Sequence, residues 1–361
     1  MDSDQALAVD VGVESHRLEF RGNAAEFFRI WIVNTLLTLL TLGVYSAWAK
    51  VRTNRYFYGN TFLGSTSFDY HARPMQILKG RLILAAGLVI YLVLSYLAPG
   101  AEVLMILVVM LLMPWLLVRS LIFRMSNTSY RNIRFGFDGS VKESYWVGIK
   151  GLLVAVFTLG LGSYWADWLR SRFVVNNLRF GRSGFDTQCK SRDFLWIYLR
   201  LIGIAILSFM LIGVLVAGFM GGLMGLQESI AEETGVTQRI KVGMLFVPLM
   251  LILPINVFLF TFLQVRKFNL LANTTQIGKH HLESELKVGK LFWIYLGGLL
   301  AIIFSLGLLI PWVHVRIARY RIQQVSIQIA GSLDNELAAE AQAISATGEE
   351  VGDYLDLDLG F

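Results

Sequence analysis

The sequence predicts an all-α polytopic membrane protein built from repeats, with re-entrant or broken helices and a small cytoplasmic β-sheet. Composition is the first reason: 55% of the 361 residues are hydrophobic and only 16% are charged. With a mean hydropathy of +0.57, the chain is too apolar for an ordinary soluble domain. The second reason is a series of mostly apolar, uncharged stretches, each near or above the roughly 17 to 25 residues that cross a bilayer. They are residues 30–49, 82–98, 103–118, 151–166, 201–227, 242–265 and 291–313.

The third reason is a motif that occurs three times, in residues 41–55, 158–172 and 305–319. Each copy has a hydroxyl residue and a leucine before a glycine, then a tryptophan five residues after the glycine and an arginine seven residues after the tryptophan. The glycines are Gly43, Gly160 and Gly307, the tryptophans are Trp48, Trp165 and Trp312, and the arginines are Arg55, Arg172 and Arg319. Self-similarity of this kind predicts a repeat architecture.

The distribution of Lys and Arg predicts how the apolar stretches are placed. The connections after the first, third, fourth, sixth and seventh stretches all carry an excess of basic residues, which favours the cytoplasmic side. Only residues 98–102 and 228–241 lack that excess. The second and third stretches, and likewise the fifth and sixth, are therefore predicted to form transmembrane hairpins. The remaining three are predicted to break at the motif glycine and re-enter the leaflet they came from; seven plain spans are the alternative.

Short alternating stretches punctuated by glycine flank the motif copies and predict strands. They are residues 17–21, 61–70, 132–138, 177–185, 282–286 and 325–329. Strands before and after one apolar stretch can pair only on the same side of the bilayer, which also favours re-entrance. The predicted organisation is a flexible N-terminus (1–16), repeat unit 1 (17–130), repeat unit 2 (131–272), a partial repeat unit 3 (273–330) and an acidic disordered tail (331–361).

The net charge of +6 is unevenly distributed. Residues 331–361 hold eight acidic and no basic residues, so the rest of the chain has 32 basic residues against 18 acidic ones. Because the bases lie at the ends of apolar stretches, they predict membrane lipids as partners and not nucleic acid. Both termini are expected to be cytoplasmic.

Several polar residues are candidate functional groups. Asn34, Thr38 and Thr41 share one face of the first apolar stretch and predict either helix packing or a polar path. The motif tryptophans are expected to be interfacial anchors. The motif arginines Arg55, Arg172 and Arg319 are expected to contact lipid phosphates as anchors or, alternatively, to converge on one anionic site.

Other features predict packing more than chemistry. Gly218 and Gly222 belong to a GxxxG pattern, which predicts close packing within the chain or a homo-oligomer. His280 and His281 are neighbours on a predicted strand and point to opposite faces, so no metal site is expected. No cofactor site or catalytic arrangement is recognisable, and the chain is not expected to be an enzyme.

Residues 20–61, with the Phe-x-Gly entry, the Thr-Leu-Gly-x-Tyr-x-x-Trp core and the Arg-x-x-Arg-Tyr exit, resemble YjgN-like bacterial inner-membrane proteins. The resemblance extends over about residues 20–330. The second copy departs at Gly162 and Leu169, and the third has Leu309 where Tyr45 would align. Because that family has no established activity, the resemblance implies a multi-pass protein of the bacterial inner membrane, and no catalytic residue can be carried over from it. The function predicted is transport or permeation of a small anionic solute or lipid; the alternative is a membrane scaffold or lipid-organising protein.

Overall fold

A computed structural model describes residues 13–98, 100–229 and 234–330 of the chain. Within these residues, pairs of helices alternate with pairs of short strands, and a single strand stands at each end. The strands are β1 (Val13–Phe20), β2 (Thr61–Leu63), β3 (Thr66–Tyr70), β4 (Thr128–Tyr130), β5 (Ile133–Phe137), β6 (Leu178–Phe180), β7 (Ser183–Thr187), β8 (Thr275–Ile277), β9 (His280–Ser284) and β10 (Val325–Ala330). The helices are α1 (Ala24–Leu40), α2 (Ser46–Gly59), α3 (Pro74–Leu97), α4 (Ala101–Ser126), α5 (Val141–Phe157), α6 (Ser163–Asn176), α7 (Ser191–Ser229), α8 (Thr234–Asn273), α9 (Val288–Phe304) and α10 (Ile310–Gln323).

The strands form one closed barrel in the order β1-β10-β9-β8-β7-β6-β5-β4-β3-β2. All neighbouring strands are antiparallel, and β1 closes the barrel by pairing with β10, for example His16 opposite Ile327. The prediction of an all-α fold with a small sheet is therefore wrong. Four strands, β2, β4, β6 and β8, have only three residues and directly follow a helix. The alternating stretches of the sequence covered β2 and β6 but not β4 and β8. The closing pair also joins strands at opposite ends of the described chain, which no local pattern indicates.

Every helix pair leaves and rejoins the barrel at the same rim. Each pair connects two neighbouring antiparallel strands, as α1 and α2 connect β1 to β2. The other rim carries the tight turns between β2 and β3, β4 and β5, β6 and β7, and β8 and β9. Residues of positive φ make these turns: Gly64, Arg131, Asn132, Gly181 and Gly278. The described part of the chain is thus a barrel with helical hairpins at one end only. The predicted flexible N-terminus overlaps the start of β1 at Val13, and the predicted tail lies outside the described residues.

Apolar side chains fill the barrel interior. Leu63, Tyr130 and Ile133 are buried together, and the Tyr130 hydroxyl donates to the Leu63 carbonyl oxygen at 2.7 Å. Side chains from further strands pack against these three: Leu18, Phe68, Phe135, Phe180 and Ile327. These residues share one face of the paired strands, and that face is buried because the sheet closes on itself. The barrel is consequently a packed core and not an open channel.

The helical hairpins fall into two length classes. In α1–α2, α5–α6 and α9–α10, the first helix has 17 residues and the second has 14. In α3–α4 and α7–α8 the helices have 24 to 40 residues. Among the residues that the structure describes, three helices are long and apolar enough to cross a membrane: Pro74–Leu97, Val103–Ser126 and Ser191–Phe219. All three belong to the long hairpins.

The bases of two short hairpins are tied together by tyrosines. The Tyr56 hydroxyl accepts from the Asn23 backbone N–H and donates to the Asn23 carbonyl oxygen, both at 2.7 Å. Tyr320 makes the same pair of contacts with Lys287, at 2.9 and 3.4 Å. The end of the second helix is in this way held against the start of the first, which returns the chain to the rim.

Candidate functional site

The hairpins form a closed ring above the barrel rim. Each helix packs against the next one in the chain, and α10 packs against α1. The helices of this ring expose apolar side chains widely: α3 has no buried residue although it lies between α2 and α4. A helix that is apolar all round does not face water on either side. The ring is therefore the surface on which a function in the membrane has to be sought.

The short hairpins reverse direction through the same turn in all three motif copies. In the first, the Gly43 N–H donates to the Thr38 carbonyl oxygen at 2.8 Å and the Leu42 N–H donates to that of Leu39 at 3.1 Å. This pair of bonds is a Schellman motif, which satisfies carbonyls that a helix end would otherwise leave free. The second and third copies repeat the bonds at Leu159–Gly160 and Leu306–Gly307, with distances from 2.7 to 3.2 Å. The helix break predicted at the motif glycines is present in each copy.

The hydroxyl residue of the motif joins the two helices of each short hairpin. Thr41 Oγ1 donates to the Leu37 carbonyl oxygen at 2.7 Å and accepts from the Tyr45 N–H at 2.9 Å. Thr158 accepts from the Gly162 N–H at 2.7 Å and Ser305 from the Leu309 N–H at 3.1 Å. Each hydroxyl thereby caps the start of the second helix. A turn that satisfies its own polar groups can lie in hydrocarbon, where no water is available to do so.

A leucine occupies the left-handed position of each turn, where glycine is usual. The φ angles of Leu42, Leu159 and Leu306 are 51°, 50° and 51°, a conformation that disfavours any side chain with a Cβ by about 1 kcal/mol. These leucines are 95%, 94% and 94% exposed. An exposed leucine in a strained position gains nothing in water, but it does gain when the tip lies in lipid. The tip leucines, defined as these three residues, thus mark the apolar ends of the short hairpins.

The motif tryptophans lie close to the hairpin tips and not at the barrel rim. Trp48, Trp165 and Trp312 are each the third residue of the second helix. Trp48 stacks on Tyr45 at 6.1 Å, and the Arg316 guanidinium lies 5.0 Å from the Trp312 ring. The tryptophans are therefore separated from the motif arginines along each helix.

The motif arginines lie at the opposite end of the same helices, near the barrel. Arg55, Arg172 and Arg319 are each the tenth of 14 residues and all are exposed. Arg319 donates to the Gly22 carbonyl oxygen at 2.8 Å, and the Arg172 guanidinium lies 5.8 Å from the Trp168 ring. Within the described residues, no hydrogen bond or ring contact joins two of the three. The three arginines thus lie at the same distance along the second helix of three separate hairpins.

Of the predicted polar path, two members bond to their own helix. Thr38 Oγ1 donates to the Asn34 carbonyl oxygen at 2.6 Å, and Thr41 acts as the cap described above. Asn34 is 5% exposed, and within the described part of the chain its side-chain amide has no hydrogen-bond partner. Asn34 alone of the three keeps unused donors and acceptors.

A partly buried charge cluster joins the α5–α6 hairpin to the α7–α8 hairpin, and sequence reasoning missed it. The Lys267 ammonium pairs with the Asp167 carboxylate, with side-chain exposures of 25% and 18%, and the Tyr198 hydroxyl donates to the same carboxylate at 2.9 Å. The contacts link the consecutive helices α6, α7 and α8 through residues separated in sequence: Tyr198 and Lys267 follow Asp167 by 31 and 100 positions. The available signal was an acidic residue inside the second motif copy, at the position where the first copy has Lys50 and the third has His314.

Among the described residues, no close neighbour lies against the predicted packing face at Gly218. A Cβ added at Gly218 would meet nothing within 4 Å, so this glycine makes no close contact with the described part of the chain. The surroundings of Gly222 lie outside the described residues. Association through this face stays a prediction.

Burial raises the pKa of the Cys189 thiol, which favours an unreactive thiol.

Comparison with known proteins identifies relatives of the chain. Residues 15–354 match the family model described as a bacterial protein of unknown function, DUF898. The chain is similar to inner membrane protein YjgN of Salmonella typhimurium strain LT2, with 31% identity over 136 residues, which are 37% of this chain and 34% of the relative. It is also similar to inner membrane protein YjgN of Escherichia coli O157:H7 and of strain K12, each with 28% identity over 155 residues, 43% of this chain and 38% of the relative.

The matched regions span between a third and two fifths of the length of these relatives. No solved structure matches the chain. The resemblance to YjgN-like proteins seen in residues 20–61 is confirmed. The three apolar helices of the described residues fit a membrane protein.

Proposed function

Because this chain belongs to the DUF898 family of bacterial proteins, whose YjgN relatives are named inner membrane proteins, we propose that it is a multi-pass inner-membrane protein that moves phospholipid between the leaflets. The single observation that carries this proposal is an apolar ring of helical hairpins closed at one end by a packed barrel. The three short hairpins act as structural repeats in this scheme.

The barrel lies on the cytoplasmic side in this scheme. Basic residues gather in the connections that join helices to strands, such as Arg73, Lys190 and Lys287, and basic connections stay cytoplasmic. The long hairpins then cross the bilayer. Both ends of every short hairpin return to the same side, since the strands they join belong to one closed barrel.

The short hairpins reach only into the cytoplasmic leaflet. Lys50, Asp167 and His314 follow the first residue of their helices by four positions, or about 6 Å at 1.5 Å per residue. Ionisable groups this close to the tip keep it near polar surroundings, whereas the tip leucines take it into hydrocarbon. The tryptophans beside the tips would then lie on the hydrocarbon side of the lipid headgroups, and the motif arginines would lie among the lipid phosphates.

Lipid fits this architecture better than a small solute does. A water-filled route along the axis would have to pass the filled barrel interior around Tyr130. The apolar faces of α3 suit acyl chains and do not suit a hydrated anion. Hairpins that end near the middle of the bilayer make no contact with the periplasmic leaflet. The bilayer is then expected to thin around them, which shortens the path of a headgroup from one leaflet to the other.

Reconstitution in liposomes tests the proposal. Vesicles containing the protein and a fluorescent tail-labelled phospholipid are treated with a membrane-impermeant reductant, and the inner-leaflet probe is expected to become reducible within minutes. A variant with Leu42→Ser, Leu159→Ser and Leu306→Ser is expected to lose most of this activity, because polar tips do not enter hydrocarbon. The same positions changed to methionine are the matched control and are expected to remain active.

Two outcomes would contradict the proposal. Chloride or phosphate flux without lipid movement would identify a solute pathway. Neither lipid movement nor anion flux, in protein that is folded and correctly oriented, would leave the scaffold alternative as the function.

A further inference from the structure

A cleft opens between the two longest helices where they meet the barrel. It has a volume of about 480 Å³ and lies between the start of α7 and the end of α8. Its lining is Asp193, Trp196, Ile197, Arg200, Arg266 and Asn269, with Leu270, Asn273 and Thr274. One side of the cleft is consequently a single face of α7, because its α7 residues are spaced by three and four positions.

Two arginines stand at the same height on opposite sides of this cleft. Arg200 follows the start of α7 by nine residues, and Arg266 precedes the end of α8 by seven. At 1.5 Å per residue, both lie about 10 to 14 Å from the barrel rim. The cleft thus presents its guanidinium groups at one level and from two helices.

These guanidinium groups have no anionic partner in the part of the chain that the structure describes. Among the residues that the structure describes, neither Arg200 nor Arg266 forms an ion pair. The Arg266 guanidinium lies 5.7 Å from the Phe262 ring. Asp193, the acidic residue of the lining, accepts at 3.1 Å from the Lys190 N–H at the start of α7. The cleft keeps a net positive charge.

The floor of the cleft is rigid. The Asn269 amide donates to the Leu286 carbonyl oxygen at 2.9 Å and accepts from Ser284 Oγ at 2.7 Å. Asn273 accepts from the Ser284 N–H at 2.6 Å. These amides fasten α8 to the end of β9, so their hydrogen bonds are already used. The arginines are the groups left to bind a ligand.

Apolar surface continues from the arginines away from the barrel. Trp196 is 49% exposed, and beyond Arg200 α7 exposes Ile202 and Ile206. A ligand that fits this cleft has an anion at the arginine level and an apolar part along α7. A phosphodiester with acyl chains has both features, and guanidinium groups match phosphate oxygens.

We propose that this cleft binds one phospholipid, with its phosphate between Arg200 and Arg266 and its acyl chains along α7. The site deepens the proposed function by naming a resident lipid, but it requires only binding and no movement between leaflets. Trp196 lies beside the phosphate level, where its ring covers the boundary between headgroup and chains.

Native mass spectrometry of the full chain, titrated with phosphatidylglycerol in detergent, tests the site. The wild-type protein is expected to retain one phospholipid at the highest affinity. Arg200→Gln and Arg266→Gln are each expected to weaken that binding about tenfold, and the double variant to abolish it. Arg192→Gln removes a neighbouring exposed arginine that does not line the cleft, and is expected to bind as the wild type does. Arg266→Lys keeps the charge and is expected to recover part of the affinity in a folded protein.

Competition with inorganic phosphate separates the two possible sources of the phosphate group. Millimolar phosphate is expected to leave the bound lipid in place, because it lacks the acyl chains. Displacement by phosphate alone would overturn the assignment to lipid, as would unchanged binding in the double variant. Lipid movement in liposomes is measured separately, so failure of this site and failure of the proposed function are distinguishable.

Discussion

Asp167→Leu is expected to lower the stability of the folded protein more than any other single substitution considered for the ring. The change leaves the Lys267 ammonium without its counter-ion at 25% exposure and the Tyr198 hydroxyl without its acceptor. Removing one member of a fully buried pair destabilises by about 3–5 kcal/mol. Because water still reaches this pair, the expected loss lies at or below the lower end of that range. The measurement is denaturant-induced unfolding in mild detergent, followed by tryptophan fluorescence.

The double variant Asp167→Leu with Lys267→Met is the control for this prediction. It removes both charges and leaves apolar groups of similar volume, so most of the lost stability is expected to return. Asp167→Leu with wild-type stability would show that the cluster does not hold α6 to α7 and α8. A double variant no more stable than the single one would show that packing, and not the unpaired charge, caused the loss.

Valine at Gly43 is expected to destabilise the first short hairpin by about 1–3 kcal/mol, as strained backbone positions generally do. Gly43 has a φ of 93°, and a Cβ there would meet nothing within 4 Å. The effect therefore comes from the backbone and not from a steric clash. Gly160→Val is expected to act alike, since its φ is 87° and its surroundings are also open. Thermal unfolding in detergent measures the change.

Leu42→Gly is the matched control in the neighbouring residue. The change removes the strain of a leucine in the left-handed backbone conformation. In detergent it is therefore expected to leave the stability of the folded protein unchanged or to raise it slightly. In liposomes the same variant is expected to reduce lipid movement, because the tip loses its apolar side chain. Equal tolerance of valine and glycine at residue 43 would contradict the role of the turn.

Local structure was predictable from the sequence wherever it depends on neighbouring residues. The break at Gly43, Gly160 and Gly307 follows from a glycine next to a hydroxyl cap within an apolar stretch. Most strands were found from alternation around residues such as Phe135. The match of residues 15–354 to the family model also bears out the resemblance found in residues 20–61.

Features that depend on distant residues were not predictable. Closure of the barrel requires β1 to pair with β10, and the charge cluster requires Asp167 to contact Lys267. Neither contact produces a periodic pattern of residues in the sequence. The motif gave the order of Trp48 and Arg55 along the chain, but not their distances from the barrel rim. Only the direction of α2, from tip to rim, shows that the tryptophan lies near the tip and the arginine near the barrel.

The central claim is that the short hairpins enter one leaflet and return to a barrel on the cytoplasmic side. It is tested most directly by labelling single cysteines in cells, in a Cys189→Ala background, with a membrane-impermeant maleimide. Cysteines at Asp138 and Arg182, before and after the α5–α6 hairpin, are expected to react only from the cytoplasm. A cysteine at Ala98 is expected to react only from the periplasm, and one at Leu159 from neither side. Labelling of Asp138 and Arg182 from opposite sides, or of Leu159 from the periplasm, would contradict the account.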